Sequence, residues 1–259
     1  MNNPVIDFYD TLSPFYRENM GWDWIDGMKQ EGSVLSAFLK KRCENDGPFK
    51  LLDCSCGIGT QAIGLALQGH IVHAADLSPN SIECAKTEAE KCGAKNMSFS
   101  VANFFDLEKT VKDTFDIVLS CDNSMAHCIN EGDPQRAFTS IHSRLNRGGL
   151  VLISIRDYAP LIKERPKMTS QHVQDKKEGR RIAFQVWDWD ENGKRYKNHQ
   201  FLIQEIDGEF KTNHFETTLR ALVKEDVINA MEKSGFHDIQ WHTPNESSYY
   251  QPIITAYKK

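Results

Sequence analysis

Between residues 51 and 60 the chain reads Leu51-Leu52-Asp53-Cys54-Ser55-Cys56-Gly57-Ile58-Gly59-Thr60. A strand-like apolar run ending on an acid, then two close glycines and a helix start, leaves few folds open. Glycine lets the backbone approach a ligand closely, and the first turn of the next helix presents unpaired N–H groups. Seventeen residues past Gly59, Asp76 ends the next apolar run, where a carboxylate can accept hydrogen bonds from ribose hydroxyls. This turn with its distal acid fits two cofactors. Gly57-x-Gly59-x-x-Ala62 satisfies the loose dinucleotide pattern of an NAD enzyme. Asp53 has no role on a pyrophosphate, however, and suits a cofactor bearing an ammonium group. The motif also follows some 48 residues of aromatic-rich helix, whereas dinucleotide domains often begin near their first strand. Asn103-Phe104, after the third strand, offers an adenine a polar group and a ring.

The surrounding pattern alternates strands and helices. Residues 1 to about 46 read as helical, with Phe8, Tyr9, Phe15, Tyr16, Trp22 and Trp24 throughout. Strands are expected at 49–54, 71–76, 97–101, 115–120 and 150–155. A helix starts at Ser78-Pro79 with Ile82, Ala85 and Ala89 on one face. Another starts at Asp133-Pro134, with Ala137, Phe138, Ile141 and Leu145 inward and Gly148-Gly149 closing it. Strands apolar on both faces between helices predict an α/β fold, a doubly wound, mostly parallel sheet. After Pro166 the rhythm breaks into strands at 182–189, 196–206 and 210–222, the last two joined at Asp207-Gly208, a hairpin signal. Trp187-x-Trp189 should face one side of this antiparallel insertion as core or interface. A helix at 224–234 and strands at 237–242 and 253–256 return to the core. The expected organisation is 1–46 helical lid, 47–158 cofactor-binding core, 159–222 antiparallel cap and 223–259 completing the core.

Composition narrows the partners. The 31 basic and 36 acidic residues sum to −5, with the basic ones scattered, which disfavours a nucleic-acid partner. No apolar run reaches the ~18–20 residues of a membrane span, and the N-terminus lacks the basic start and apolar stretch of a signal peptide. Seven cysteines in such a chain read as reduced thiols of a cytoplasmic protein. The Cys54-x-Cys56 pair is not expected to share a metal ion, and no metal site is expected elsewhere.

The run LLDCSCGIGTQAIGLALQGHIVHAADLSP resembles the first two motifs of class I methyltransferases dependent on S-adenosylmethionine (SAM). FDIVLSCDNSMAH resembles their fourth-strand motif and LNRGGLVLISIRDY their fifth-strand segment. More narrowly, CDNSMAH followed by IRDY is similar to the glycine and glycine/sarcosine N-methyltransferases. Asp122 departs from this pattern, standing where a glycine is usual in the mammalian-type motif.

The resemblance implies that Asp53, Gly57 and Gly59 hold the methionyl end of SAM, Asp76 the ribose, and Asn103 and Phe104 the adenine region, with Leu77 and Cys121 also among the cofactor-binding residues. Arg17 and Lys29 are candidates for the SAM carboxylate. Asn123 would meet the acceptor and Arg156 would clamp its carboxylate, for which a planar guanidinium is well matched. Tyr9 resembles the N-terminal tyrosine of the glycine enzymes, and Ser247-Ser248-Tyr249-Tyr250-Gln251-Pro252 their late substrate loop. Tyr16, Tyr158, Tyr249 and Tyr250 could join Tyr9 around a methylammonium group. His127, four residues past Asn123, is the nearest base for the amine proton, and a structural role competes for it. The expected activity is methyl transfer to a small amino acid such as glycine, sarcosine or dimethylglycine. The alternative is another small amine or natural-product scaffold whose cationic group pairs with Asp122.

Overall fold

The structure is a computed structural model that describes residues 3–19 and 23–259. Trp22, one of the N-terminal aromatics, lies outside the described residues. Asn3 starts the first helix, α1 (Pro4–Leu12), by accepting the Val5 N–H at 3.0 Å ahead of a proline at the first helical position. A 3-10 turn at Ser13–Phe15, α2 (Tyr16–Asn19) and α3 (Trp24–Cys43) follow. Asp23 caps α3 through the N–H groups of Ile25 and Asp26.

The core then alternates as β1 (Lys50–Asp53), α4 (Thr60–Leu67), β2 (Ile71–Asp76), α5 (Pro79–Cys92), β3 (Met97–Val101), β4 (Phe115–Ser120), α6 (Asp133–Arg144) and β5 (Leu145–Ser154). The helix α7 (Tyr158–Glu164) leads to four strands: β6 (His172–Lys176), β7 (Gly179–Trp189), β8 (Arg195–Ile206) and β9 (Glu209–Arg220). The chain ends with α8 (Lys224–Lys233), β10 (Phe236–His242), α9 (Pro244–Ser247) and β11 (Ile253–Lys258).

Seven strands form one sheet in the order β10-β11-β5-β4-β1-β2-β3, in which β11 runs antiparallel to both neighbours. Alternate residues feed different cores. Leu52, Val118 and Val151 pack in one buried cluster, and Leu51, Ile117, Leu119 and Leu150 in the other. The strand order reverses between β1 and β4, where open α/β sheets leave a crevice at the strand ends.

Two departures from the sequence reading have local causes. Helix α6 stops at Arg144, and Leu145 already pairs with Phe115 as strand. Gly148-Gly149 therefore do not close the helix but shape a register shift within β5; a Cβ on Gly149 would come 3.0 Å from the Asp116 carbonyl oxygen. Asp157 caps α7 through Ala159 N–H (3.2 Å), an element the sequence reading lacked, as it lacked β6. The C-x-C pair sits in the turn beyond β1, and Cys54 and Cys56 pack in different core clusters.

The N-terminal segment is locked to the core by close backbone contact. A Cβ on Gly32 of α3 would lie 2.3 Å from the carbonyl carbon of Gly64 in α4, so only glycine permits this crossing. Helix α1 is tied to the start of α5: Asp10 accepts from the Ser78 hydroxyl and the Asn80 N–H. Its other side packs Phe8 and Leu12 against Ala183, Leu202 and Phe215 of the antiparallel sheet β6-β7-β8-β9. The β8–β9 turn places Asp207 and Gly208 at φ +53° and +81°, the left-handed pair such a hairpin needs. Among the described residues, no helix is long and apolar enough to cross a membrane.

Candidate active site

Two chambers meet at the β1/β4 crevice. The first lies over the glycine turn. Gly57 and Gly59 sit at φ +53° and +95°; a Cβ on Gly57 would meet nothing within 4 Å, so the turn leaves ligand space there. Asp76 accepts Gly57 N–H at 2.8 Å and Ser78 N–H at 2.9 Å. Burial pushes its pKa up while these backbone donors oppose that, and its carboxylate lines the chamber with acceptor capacity left for a ribose hydroxyl. Leu77, Asn103 and Phe104 line the same chamber. Asn103 Oδ1 accepts Phe105 N–H at 2.9 Å, which fixes the loop, and Phe105 packs edge-on against Phe104. At the other end Thr60 and Gln61 open the uncapped N-terminus of α4, the positive end of a helix dipole that suits a carboxylate. The donors and acceptors thus fit an adenosine with a charged amino-acid tail.

Asp53 does not line this chamber. It lies beneath the turn, Oδ1 accepting Ser55 N–H at 3.2 Å and Oδ2 buried without a partner among the described residues, and burial raises its pKa to about 8. Cys121 is buried outside the lining. Arg17 pairs with Glu88 at 3.1 Å and covers Trp24, and Lys29 is exposed, so neither cation reaches the chamber.

The second chamber, about 360 Å³, lies between the crevice and the inner face of the insertion sheet. Arg156, two residues beyond β5, lines it. Its Nη1 donates to the Tyr196 hydroxyl at 2.9 Å and its guanidinium lies 5.1 Å from the Trp187 ring centre. Among the described residues no carboxylate lies within ion-pair distance of it. Trp187 and Trp189 each sit 4.8 Å from the Tyr196 ring, so the Trp-x-Trp pair clamps the tyrosine that aims Arg156. Asn123 joins the same network: its Nδ2 donates to Tyr158 at 2.8 Å, Tyr158 meets Tyr196 at 3.0 Å, and Asn123 Oδ1 accepts Arg156 N–H. Tyr158 is buried behind this wall, a packing and positioning group rather than part of the lining.

Tyr9, Tyr16, Asp122 and His127 line both chambers and so mark their junction. Tyr9 Oη lies 2.9 Å from His127 Nε2. Burial lowers the His127 pKa to about 4 and raises that of the Tyr9 phenol, so both are neutral near pH 7. His127 Nδ1 is buried without a partner among the described residues. Asp122 and Asn123 are successive left-handed residues, φ +55° and +68°, a backbone conformation in which glycine suits the first position; Asp122 faces both chambers and Asn123 the second. The Asp122 carboxylate accepts from Tyr249 at 3.0 Å, Tyr250 at 2.6 Å and Gln61 at 2.9 Å. Tyr250 lines the second chamber, whereas Tyr249 is buried behind it.

The sequence reading missed Glu31, Gln61, Tyr196 and Asn198. Glu31 Oε2 accepts from Gln61 (2.7 Å) and Tyr249 (3.0 Å), and burial beside Asp122 lifts its pKa to about 7. Tyr196, Asn198, Gln200 and Leu202 alternate along one strand, a period-two signal that could have placed them on one inward face.

A chamber over the glycine turn at the switch point of a seven-stranded sheet, opening into a second chamber, is the architecture of class I SAM-dependent methyltransferases. Residues 46–200 match the methyltransferase domain family, and the chain belongs to it. A glycine/sarcosine N-methyltransferase of Halorhodospira halochloris is 28% identical over 136 residues, 52% of this chain and 49% of that protein. The glycine N-methyltransferase of Mus musculus is 29% identical over 145 residues, 52% and 50%. The chain thus matches about half the length of these relatives. Among solved structures, SAM-bound CalS10 of Micromonospora echinaspora, an amino pentose methyltransferase, superposes with a TM-score of 0.76 at 13% identity, covering 96% of this chain and 97% of that one. That likeness extends to the fold.

Proposed function

We propose that the enzyme methylates the amine of a small carboxylated acceptor, of which glycine, sarcosine and dimethylglycine are the simplest. The observation that carries this reading is Arg156: a guanidinium aimed into the acceptor chamber by Tyr196 and Trp187, with no carboxylate partner among the described residues. A buried or half-buried cation without a counterion favours an anionic ligand, and its planar fork matches a carboxylate. The identity to glycine/sarcosine enzymes supports it.

SAM supplies an electrophilic methyl on a sulfonium. The chain needs no covalent nucleophile; alignment of amine and methyl can supply up to about 7–11 kcal/mol. Arg156 would hold the carboxylate and leave the amine at the junction. There Tyr9, Tyr16 and Tyr250 offer ring faces and hydroxyls. In the tautomer with His127 Nε2 unprotonated, Tyr9 donates to it and turns its own lone pairs toward the amine N–H. The free amine is the form that attacks, and the neutral Tyr9–His127 pair adds no charge of its own beside it.

Asp122 sustains the second reading, a cationic amine on a larger scaffold, because it stands at the junction. Its three donors already offset much of its charge. A SAM-consumption assay with product masses separates the two. Turnover confined to glycine, sarcosine, dimethylglycine and related carboxylated amines supports the first; preference for carboxylate-free amines overturns it.

A further inference from the structure

The inner face of the insertion sheet changes character along its strands. Where α1 covers it, Ala183, Leu202 and Phe215 make an apolar contact with Phe8 and Leu12. Phe8, Leu12 and Ala183 reach into the acceptor chamber, and there the same face adds Asn198, Gln200 and Thr217. Asn198 and Thr217 are cross-strand partners, and both are buried. Asn198 is 4% exposed, and its Oδ1 has no hydrogen-bond partner among the described residues. Buried amide oxygens are almost always paired, because leaving one unpaired forfeits the hydrogen bond it had in water. Gln185, by contrast, spends its Oε1 on Trp187 Nε1 at 3.0 Å. Apolar residues at 198 and 217 would pack better unless something else fills that space.

Position fixes what could fill it. Asn198 follows Tyr196 by two residues on the same strand face, roughly 7 Å along. Tyr196 is the group that aims Arg156. An acceptor whose carboxylate rests on Arg156 would therefore reach Asn198 with a side chain a few bonds long. Glycine has no side chain and would leave most of the 360 Å³ unfilled.

We propose that Asn198 is a specificity-determining residue, and that the acceptor is an amino acid whose side chain donates a hydrogen bond, through a hydroxyl or an amide N–H, to this part of the insertion sheet. This rests on the reading of Arg156 as the carboxylate anchor. The amide acts as acceptor, Thr217 and Gln200 supply the polar surroundings, and the methyl-transfer chemistry is unchanged.

The test is kcat/KM for methylation of glycine, alanine, serine, threonine, homoserine and glutamine by the wild type, Asn198→Leu and Asn198→Asp. Melting temperature and calorimetric SAM binding report on folding. The expected wild-type result is a preference of about tenfold or more for at least one hydroxyl- or amide-bearing acceptor over alanine. Asn198→Leu should bring that ratio to near one, and Asn198→Asp, which keeps an acceptor oxygen, should retain part of it. A wild type that prefers glycine or alanine, or a ratio unmoved by Asn198→Leu, overturns the proposal while leaving the carboxylate anchor standing. SAM binding with no methylation of any carboxylated amine overturns the anchor itself, and this inference with it.

Discussion

Tyr9 and His127, far apart in sequence, meet at 2.9 Å on the wall between the two chambers. Their rings pack edge-on, with centres 5.4 Å apart. The contact joins α1 to the 3-10 turn after β4, so the helix that packs on the insertion sheet also lines both chambers.

Removing only the hydroxyl tests that arrangement. Tyr9→Phe keeps the ring and its packing against Phe8 but frees His127 Nε2. The expected result is a fall in kcat of about 10²-fold, the lower end for a positioned proton-handling group, with SAM affinity nearly unchanged. Steady-state kinetics and calorimetry read the two separately.

His127 also marks the stability profile. Burial holds its folded pKa at about 4, below the ordinary imidazole value of 6.5, so the unfolded chain binds more protons between those limits. Its contribution is therefore full above pH 6.5 and is lost as pH falls toward 4, about 3 kcal/mol at most. His127→Gln, which can still accept from Tyr9, should flatten the acid side of the urea midpoint against pH.

Glu31 carries the opposite sign. Burial beside Asp122 raises its pKa from 4.5 to about 7, so the folded chain holds a proton the unfolded chain has lost, and stability falls as pH rises through that window. Glu31→Gln keeps an acceptor for Gln61 and Tyr249 without the charge. Its melting temperature should exceed the wild type's at pH 8, with the difference shrinking by pH 5.

The α3–α4 crossing should tolerate no side chain. Gly32→Ala would drive a methyl into the Gly64 backbone. We expect a loss of about 2–3 kcal/mol, as for other overpacked contacts. SAM affinity should fall too, because α3 also supplies Trp24, whose Nε1 donates to Thr60 in the cofactor chamber (3.0 Å). Thermal melting with and without SAM measures both.

The fold was legible wherever a local rule governed it. Gly57 and Gly59 announced the turn, Ser78-Pro79 the start of α5, and Asp207-Gly208 the hairpin, each because the backbone conformation requires those residues. Leu145 misled because its apolar spacing continues α6, whereas its pairing with Phe115 decides its conformation. The site was half legible. Asp76, Asn103, Phe104, Tyr9, His127 and Arg156 follow short motifs and line the chambers. Tyr158 and Tyr249 look alike in sequence but turn inward, and nothing local distinguishes a lining tyrosine from a buried one. Gln61 follows the glycine turn inside its motif, and Tyr196 and Asn198 share a strand face, but only long-range packing brings these residues and Glu31 to the site.

The most direct test of the account is Arg156→Gln, assayed for acceptor KM and for SAM affinity on the same preparation. Losing the charged clamp should cost about 3 kcal/mol in acceptor binding, raising KM for a carboxylated amine roughly a hundredfold, while SAM affinity stays within about twofold. An unchanged acceptor KM, or an equal loss of affinity for SAM, would contradict Arg156 as the carboxylate anchor.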